Sequence, residues 1–362
     1  MDRYMYRHGL NVIYEQNAQL INKLIDFFGS AQKAWEASAK ELLTNNFPSK
    51  DLIEKSIKAR ENFNLESSFA EHSKGPVKCT IPDDEHYPPL LKNISDHPPI
   101  LYYLGEIPSN SFSIALVGSR KHTVYGKEVA FKLSSSLAKQ GIVVVSGLAR
   151  GIDTWSHRGC LAGGGKTVAV LGCGLDECYP SENKGLMKEI SQRGAVISEY
   201  PLGTKPLPFN FPRRNRIIAG MCRGTVVIEA AKKSGALITA HLSLEYNREV
   251  FAVPGSIGSP YSRGCHKLIK EGAKLIENIE DILEEFPEFQ MRCSSQQPLS
   301  KTEESLNKEE KELLDIIPYS PYHLDQIIKT TGWGAEKLLP LLLELELKGT
   351  IKQLPGKYFL RI

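Results

Sequence analysis

The chain has 362 residues, of which 41% are hydrophobic and 24% charged, and its net charge is +3. These values exclude a disordered chain and a uniformly basic one, and the length is sufficient for two or three domains. Any contact with nucleic acid must therefore come from a local cluster of positive charge.

Residues 1–75 are predicted to form a helical N-terminal domain. Apolar residues recur at helical spacing from Leu20 to Phe28, and Gly29-Ser30 then ends the run. The pattern favours a small domain of the SAM-like or helix-hairpin-helix-like kind. Residues 76–110 are rich in proline, which predicts a connector with one edge strand at 100–104.

Residues 111–286 alternate between short apolar runs and helical segments. The runs lie at 113–117, 142–145, 168–171, 195–197, 225–228 and 250–253. They are continuous rather than alternating, which is typical of strands buried on both faces. The fold class predicted is therefore α/β, with a doubly wound, mostly parallel sheet.

Residues 287–305 are polar and predict a linker. Residues 306–362 contain helical segments at 309–317, 322–330 and 335–348, followed by a hairpin at 350–354 and 357–361. Three helices and a hairpin predict a C-terminal winged-helix module. Its last helix is rich in leucine and carries several glutamates, which favours core packing and protein contact over DNA binding.

Neither a membrane span nor a metal site is indicated. No apolar run reaches about 18 residues, and the N-terminus has no apolar segment typical of a signal peptide. The seven cysteines include no Cys-x-x-Cys pair, which favours reduced thiols and a cytoplasmic protein.

Glycine and small polar residues follow the first predicted strands. The turns are Gly118-Ser119-Arg120, Ser146-Gly147 and Gly172-Cys173-Gly174. Glycine lets backbone amides approach an anion, and an arginine can bind phosphate oxygens. No dinucleotide-binding or P-loop motif occurs, so we expect no NAD, ATP or other cofactor.

A basic segment lies between residues 205 and 223, without Asp or Glu. Its cations are Lys205, Arg213, Arg214, Arg216 and Arg223. Phe209 and Phe211 stand among prolines in this segment, and we expect one ring in the core and the other free to stack on a base. The segment could form a phosphate track for a single strand, or simply a solvated face.

Catalytic groups are weakly indicated. Asp153 and His157 share a helix face, and Ser119 or Ser146 could complete a triad, but no Gly-x-Ser-x-Gly motif accompanies them. Glu229 at a strand end could act as an acid or base, or could orient Arg216 or a backbone amide, which we favour. We expect no enzymatic activity.

Together the motifs of residues 90–285 resemble the DNA-processing protein A family, DprA, also called Smf. The motifs are Val117-Gly118-Ser119-Arg120, Ser146-Gly147-Leu148-Ala149-x-Gly151-Ile152-Asp153 with His157, Tyr179-Pro180, Ser198-Glu199-Tyr200, Phe211-Pro212-x-Arg214-Asn215-Arg216-Ile217-Ile218-Ala219-Gly220, Ser234-Gly235-x-Leu237-Ile238-Thr239 and Val253-Pro254-Gly255.

The resemblance implies an extended Rossmann-type domain that binds single-stranded DNA without sequence preference. It further implies a role in natural transformation, with RecA recombinase and single-strand-binding protein as partners, and a homodimer. The implied DNA-binding residues are Gly118, Ser119, Arg120, Ser146, Gly147, Lys205, Phe209, Arg214, Asn215, Arg216 and Thr239. The implied dimer contacts are His266, Leu268, Ile269, Leu275 and Ile276.

Two departures from the family pattern stand out. Ser181 follows Tyr179-Pro180 where a basic residue is usual, and Trp155 replaces a small residue before His157. Two other functions remain open. One is a phosphoribohydrolase of the lysine-decarboxylase-like Rossmann group, although its Pro-Gly-Gly-x-Gly-Thr-x-x-Glu motif is reduced here to Gly224-Thr225 and Glu229. The other is a protein-binding adaptor.

Overall fold

The structure is a computed structural model that describes residues 2–45, 47–73, 75–287, 289, 308–318, 322–347, 350–354 and 356–361. The chain divides into two compact units, residues 1–289 and 290–362. The predicted linker at 287–305 lies outside the described residues, apart from residues 287 and 289.

Six helices begin the first unit. They are α1 (Asp2–Ile13), α2 (Ala18–Phe28), α3 (Ala31–Glu36), α4 (Ala39–Thr44), α5 (Lys50–Glu61) and α6 (Leu65–Ser73). Gly29 ends α2 in the left-handed conformation with φ +80°, which residues with a Cβ rarely adopt. Ser38 caps α4 by a reciprocal pair of bonds with Glu41. Leu24, Leu42 and Ile53 are among the residues of their shared core.

The helical segment is docked on the sheet by buried polar contacts. The Nδ2 of Asn11 donates to the Glu199 carbonyl at 2.8 Å. The Nδ1 of His8 lies 2.7 Å from the Tyr102 hydroxyl, and the Leu202 amide donates to the Nε2 of His72 at 2.9 Å. These bonds fix the helices against the strands at one end of the sheet.

A nine-stranded sheet forms the centre of the first unit, with the order β1-β2-β6-β5-β4-β3-β7-β8-β9. The strands are β1 (Lys78–Thr80), β2 (Leu101–Gly105), β3 (Ser113–Val117), β4 (Val143–Ser146), β5 (Thr167–Val170), β6 (Ala195–Ser198), β7 (Gly224–Val227), β8 (Glu249–Ala252) and β9 (Lys274–Leu275). From β3 to β9 all pairs are parallel, whereas β1 and β2 are antiparallel additions.

The prediction of an edge strand at 100–104 is wrong. Lys78–Thr80 pairs with the outer side of β2, so β2 is second from the edge. β1 could not be predicted from the sequence, because three residues are too few to show a strand period.

Helices cover both faces of the sheet, which confirms the doubly wound fold. They are α7 (Pro89–Lys92), α8 (Val124–Lys139), α9 (Ile152–Ala162), α10 (Lys184–Arg193), α11 (Asn210–Gly220), α12 (Gly235–Glu245), α13 (Arg263–Lys270) and α14 (Glu280–Leu283). One core contains apolar residues of α11, α12 and α13, and another contains those of α8 and α9. Strands such as β3 and β4 are buried throughout.

The second unit has a winged-helix fold in its described part. Its elements are α15 (Lys308–Ile316), β10 (Tyr322–His323), α16 (Leu324–Thr331), α17 (Ala335–Leu347), β11 (Ile351–Leu354) and β12 (Tyr358–Arg361). The strands form an antiparallel sheet in the order β10-β12-β11. Residues 322–323, predicted to start the second helix, instead form β10, because they pair with Tyr358 and Phe359.

Leucines of α17 form much of the core of this unit, as the sequence predicts. Leu338, Leu342 and Leu345 are buried, whereas Leu339 and Leu343 are exposed. Among the described helices of either unit, none is both long and apolar enough to cross a membrane.

Candidate nucleic-acid interface

The sheet reverses its winding direction between β3 and β7. β3 pairs with β4 on one side and with β7 on the other, so the loops that follow β3 and β7 diverge and leave a crevice. A pocket of about 360 Å³ lies there. Its walls include Gly118, Ser119, Arg120, Ala149, Asp153, Phe211, Arg214, Asn215, Ser234, Gly235 and Thr239.

The loop after β3 is held by backbone contacts. The Ser119 amide donates to the Glu229 carbonyl at 2.7 Å, and the Ser119 hydroxyl donates to the Lys121 carbonyl at 2.6 Å. Gly151 has φ +84°, and a Cβ there would lie 2.2 Å from the Ser119 carbonyl oxygen. Glycine at 151 therefore allows the two loops to approach closely enough to form one wall.

Glu229 holds the start of α8. Its carboxylate accepts the Thr123 amide at 2.9 Å and the Thr123 hydroxyl at 2.5 Å. Of the alternatives left open by the sequence, Glu229 therefore orients a backbone amide and not Arg216.

Arg214 forms the buried floor of the pocket. Its Nη1 donates to the carbonyls of Gly147, at 2.8 Å, and Val170. Burial lowers the pKa of Arg214 to about 10, and the nearby positive charge of Arg120 contributes to the lowering. The side chain therefore stays protonated at neutral pH. Asp153 offsets part of this charge while accepting the amides of Gly147 and Ala149 at 3.1 and 3.4 Å.

Arg120 lies exposed at the rim of the pocket. Its guanidinium carbon is 5.4 Å from the centroid of the Phe211 ring. Within the part of the chain that the structure describes, no carboxylate lies at salt-bridge distance from Arg120. Arg120 and Arg214 together give the pocket an excess of positive charge.

The N-terminus of α12 forms the opposite wall. Ser234 caps the helix by accepting the Ala236 amide at 3.3 Å, and Gly235 is exposed. The Nδ2 of Asn215 donates to the Gly235 carbonyl at 3.4 Å. The partial positive charge of this helix end adds to that of the arginines.

The predicted DNA-binding residues separate into two groups. The pocket brings together Gly118, Ser119, Arg120, Arg214, Asn215 and Thr239. The others lie outside its walls: Ser146, Gly147, Lys205, Phe209 and Arg216.

Besides Arg216, three of the residues outside the walls have other contacts. Ser146 is fully buried and donates to the Leu116 carbonyl at 2.7 Å. Gly147 lies behind Arg214, whose guanidinium would be 2.4 Å from a Cβ at that position. Lys205 is exposed and paired with Glu177. Phe209 is exposed without a place in the pocket lining.

The placement of Arg216 beside Arg214 on the pocket floor is wrong. Arg216 is buried, with its Nη2 against the Glu199 carboxylate and its Nε 3.6 Å from Asp96. Positions two apart on a helix point about 200° away from each other, so α11 directs these arginines to opposite faces. Arg213 instead donates to the carbonyls of Glu15 and Gln16 at 3.4 and 3.2 Å. The basic segment is therefore not one continuous track.

Phe211 is the aromatic ring that lines the pocket, whereas Phe209 is the ring that the family resemblance implies. The Phe211 ring lies 5.4 Å from that of Tyr179 and below Arg120. Its position three residues before Arg214 places both on one face of α11, a signal that would have identified it. Asp153, Ser234 and Gly235 also line the pocket and were absent from the predicted set.

The other predicted clusters are largely structural. His157 is fully buried, its Nδ1 lies 2.8 Å from the Thr167 hydroxyl, and burial lowers its pKa to about 3. The Ser119 hydroxyl donates to a backbone carbonyl, so the serine and histidine do not form a triad. Within the described ranges, no group of three His, Cys, Asp or Glu side chains could hold a metal ion.

Part of the strip predicted as a dimer contact belongs to the hydrophobic core of the monomer. Leu268 and Ile276 are 2% and 1% exposed and pack inside the monomer. His266 lies 3.0 Å from the Gly255 carbonyl through its Nε2. Ile269 is half-buried and Leu275 is exposed. Of the five predicted residues, Leu268 and Ile276 are not available for a dimer contact.

Comparison with known proteins identifies the family. The model of the family "DNA recombination-mediator protein A" matches residues 78–287, and the model of the DprA winged-helix domain matches residues 297–357. The chain belongs to the DprA/Smf family.

Individual relatives agree with this assignment. Protein Smf of Synechocystis sp. is 36% identical, and the alignment covers 94% of each chain. The crystal structure of DNA processing protein A from Streptococcus pneumoniae has a TM-score of 0.68 and 36% identity, covering 78% of this chain and 98% of that one. DNA processing protein A from Helicobacter pylori has a TM-score of 0.54 and 29% identity, covering 60% and 98%, and its structure concerns that protein's single-stranded DNA binding mode.

Proposed function

We propose that this chain binds single-stranded DNA through its phosphates at the pocket and acts as a recombination mediator. The observation that carries the proposal is the rim arginine, Arg120, which lies over Phe211 and above the buried Arg214 without a carboxylate partner among the described residues. A guanidinium held in this way has donors directed at solvent and lacks an internal counter-ion. A phosphate would supply that counter-ion.

The surrounding groups suit an anion rather than a neutral ligand. Arg214 keeps its charge despite burial, and the N-terminus of α12 presents the exposed Gly235. Asp153 and Glu229 are both occupied in holding backbone amides. Because neither carboxylate is free to activate water, this arrangement supports binding over hydrolysis.

The aromatic rings favour a single strand over a duplex. Phe211 is in the pocket wall, and Phe209 is 58% exposed nearby in sequence. An aromatic ring can stack on any base whose face is uncovered, whereas bases in a duplex are covered by their neighbours. The Helicobacter pylori relative, which binds single-stranded DNA, has the same fold over 60% of this chain.

Three further roles belong to the proposal and are supported by family membership alone. They are the loading of RecA recombinase onto the strand, displacement of single-strand-binding protein, and participation in natural transformation. We also propose a homodimer through two apolar residues of the predicted strip that are not fully buried, Ile269 and Leu275. Leu275 lies in the edge strand β9.

Fluorescence anisotropy with labelled oligo-dT tests the binding site. Arg120→Ala should weaken affinity by about 10- to 100-fold, because one charge-assisted contact is lost. Lys166→Ala is the matched control. This exposed cation directly precedes β5, so it lies at the amino ends of the parallel strands, away from the pocket. Equal affinities for wild type and Arg120→Ala would reject the pocket, and stronger binding to duplex than to single strands would reject the choice of ligand.

Oligomeric state is tested separately by light scattering after size exclusion. Leu275→Asp should shift the protein towards monomer, because it places a charge on an exposed apolar position at the sheet edge. A mass that is monomeric for wild type, or unchanged by the substitution, would contradict the dimer.

A further inference from the structure

A cluster of cations and one tryptophan lies on the surface of α8 and α9. The Nζ of Lys127 is 4.1 Å from the centroid of the Trp155 ring, and the guanidinium carbon of Arg158 is 5.0 Å from it. The Nε1 of Trp155 donates to the Nε2 of His122 at 2.9 Å. We call these four residues the Trp155 cluster. None of them lines the pocket.

The charges of the Trp155 cluster are not neutralised within the protein. Arg158 is exposed and Lys127 half-buried, and within the described residues neither has a carboxylate at salt-bridge distance. Glu128 is adjacent in sequence to Lys127 but lies exposed without an ion pair to it. The electron-rich indole ring attracts both cations, which orders their side chains without neutralising their positive charge.

The cluster continues directly from the pocket rim. Arg120 is followed by the exposed Lys121 and then by His122, whose Nε2 accepts the bond from Trp155. Consecutive Cα atoms are about 3.8 Å apart, so the His122 Cα lies within about 8 Å of that of Arg120. The positive surface therefore extends from Arg120 through Lys121 to Lys127 and Arg158.

We propose that the Trp155 cluster is a second binding subsite for the phosphate backbone of single-stranded DNA, contacted by nucleotides that leave the pocket past Arg120. This inference rests on the proposed function of the pocket. The cluster would act on phosphates rather than on bases, because two cations already lie over the indole ring. It would thus lengthen the binding site without adding sequence preference.

The consequence is a dependence on strand length. A short oligo-dT of about 4 nucleotides can fill the pocket alone, whereas one of about 16 nucleotides can also reach the cluster. The double variant Lys127→Ala/Arg158→Ala should therefore bind the long strand about tenfold more weakly and the short strand as wild type does.

Salt dependence gives a second readout on the same proteins. Each phosphate contact contributes about −0.7 to the slope of log affinity against log salt for single strands. Loss of two contacts should make the slope for the long strand shallower by about 1.4, with no change for the short strand.

A control variant tests whether the loss of affinity depends on where the two cations lie or only on the loss of two positive charges. Lys132→Ala/Lys139→Ala also removes two exposed cations from α8, at positions that do not contact Trp155. This control should leave the affinities for both lengths within about twofold of wild type. Because none of the four substituted cations belongs to a hydrophobic core, circular dichroism should show the wild-type spectrum for both double variants.

The outcomes separate this inference from the proposed function. An unchanged affinity of Lys127→Ala/Arg158→Ala for the long strand would overturn the second subsite. So would an equal loss for both lengths, or an equal loss in the Lys132→Ala/Lys139→Ala control. If instead Arg120→Ala fails to weaken binding of either length, the proposed function of the pocket is contradicted, and so is the second subsite that depends on it.

Discussion

The guanidinium of Arg120 lies over the ring of Phe211, and this contact joins the loop after β3 to the first turn of α11. The two residues are 91 positions apart in the sequence. Since Arg120 has no carboxylate partner in the described part of the chain, the ring is what orients its charge. The contact thus places the proposed phosphate-binding guanidinium beside an aromatic ring in one pocket.

Phe211→Ala should weaken binding of oligo-dT more than Phe209→Ala does. Phe211 lines the pocket and supports Arg120, whereas Phe209 does neither. Loss of one aromatic contact with a base costs about 1–3 kcal/mol, which corresponds to about 5- to 150-fold in affinity. The measurement is anisotropy at fixed salt for both variants. A larger loss for Phe209→Ala would show that the strand leaves the pocket across the exposed ring.

Gly151→Ala should destabilise the protein and disturb the pocket together. A Cβ at 151 would lie 2.2 Å from the Ser119 carbonyl oxygen, at φ +84°. The loop carrying Arg120 must therefore shift, and strain of this kind costs about 1–3 kcal/mol.

Gly164→Ala is the control for backbone conformation alone. Gly164 has φ +77° but no atom within 4 Å of the added Cβ. Its substitution should cost about 1 kcal/mol and leave DNA affinity unchanged. Urea denaturation and anisotropy distinguish the two variants, and similar effects of both would contradict the close approach at Ser119.

Arg216→Ala should reduce stability rather than affinity. Its removal leaves the Glu199 carboxylate, which is 1% exposed, without its partner, and breaking a buried pair in this way costs about 3–5 kcal/mol. Arg213→Ala on the same helix removes an exposed side chain that donates to backbone carbonyls, and should cost less than about 1 kcal/mol. Urea midpoints report the difference. If Arg216→Ala kept the wild-type urea midpoint but lost DNA binding, Arg216 would be a DNA-binding residue after all.

Mild acid should destabilise the first unit through buried histidines. Burial lowers the pKa of His8 to about 3, with the charge of His72 adding to the effect, and burial also lowers the pKa of His157 to about 3. Unfolded histidines titrate near 6.5, so below that pH the unfolded state binds more protons and stability falls with falling pH. Each histidine should cost about 2 kcal/mol at pH 5.

The test compares urea midpoints at pH 7 and pH 5 for wild type and His8→Gln. The substitution removes one titrating group while keeping side chain polarity near Tyr102 and Ser68. The decrease in stability between the two pH values should be smaller in His8→Gln. Equal decreases would mean that His8 is not neutral in the folded protein.

Some of the site was accessible to sequence reasoning because local chemistry repeats along the chain. Apolar runs followed by glycine predict parallel strands with their turns at one edge, and the turn at Gly118-Ser119-Arg120 does line the pocket. The positions of Arg214 and Arg216 could not be separated from charge alone. They required the helical phase of α11, which places one below the pocket and the other against Glu199.

The family and the strands buried on both faces could be predicted from the amino-acid sequence, because both depend on residue type and on spacing over a few positions. Only the folded structure shows which of the described cations are paired with a carboxylate. Arg120 has a ring below it, Lys205 has Glu177, and Arg216 has Glu199. Whether a positive side chain meets a carboxylate depends on contacts between distant segments, and no local pattern encodes them.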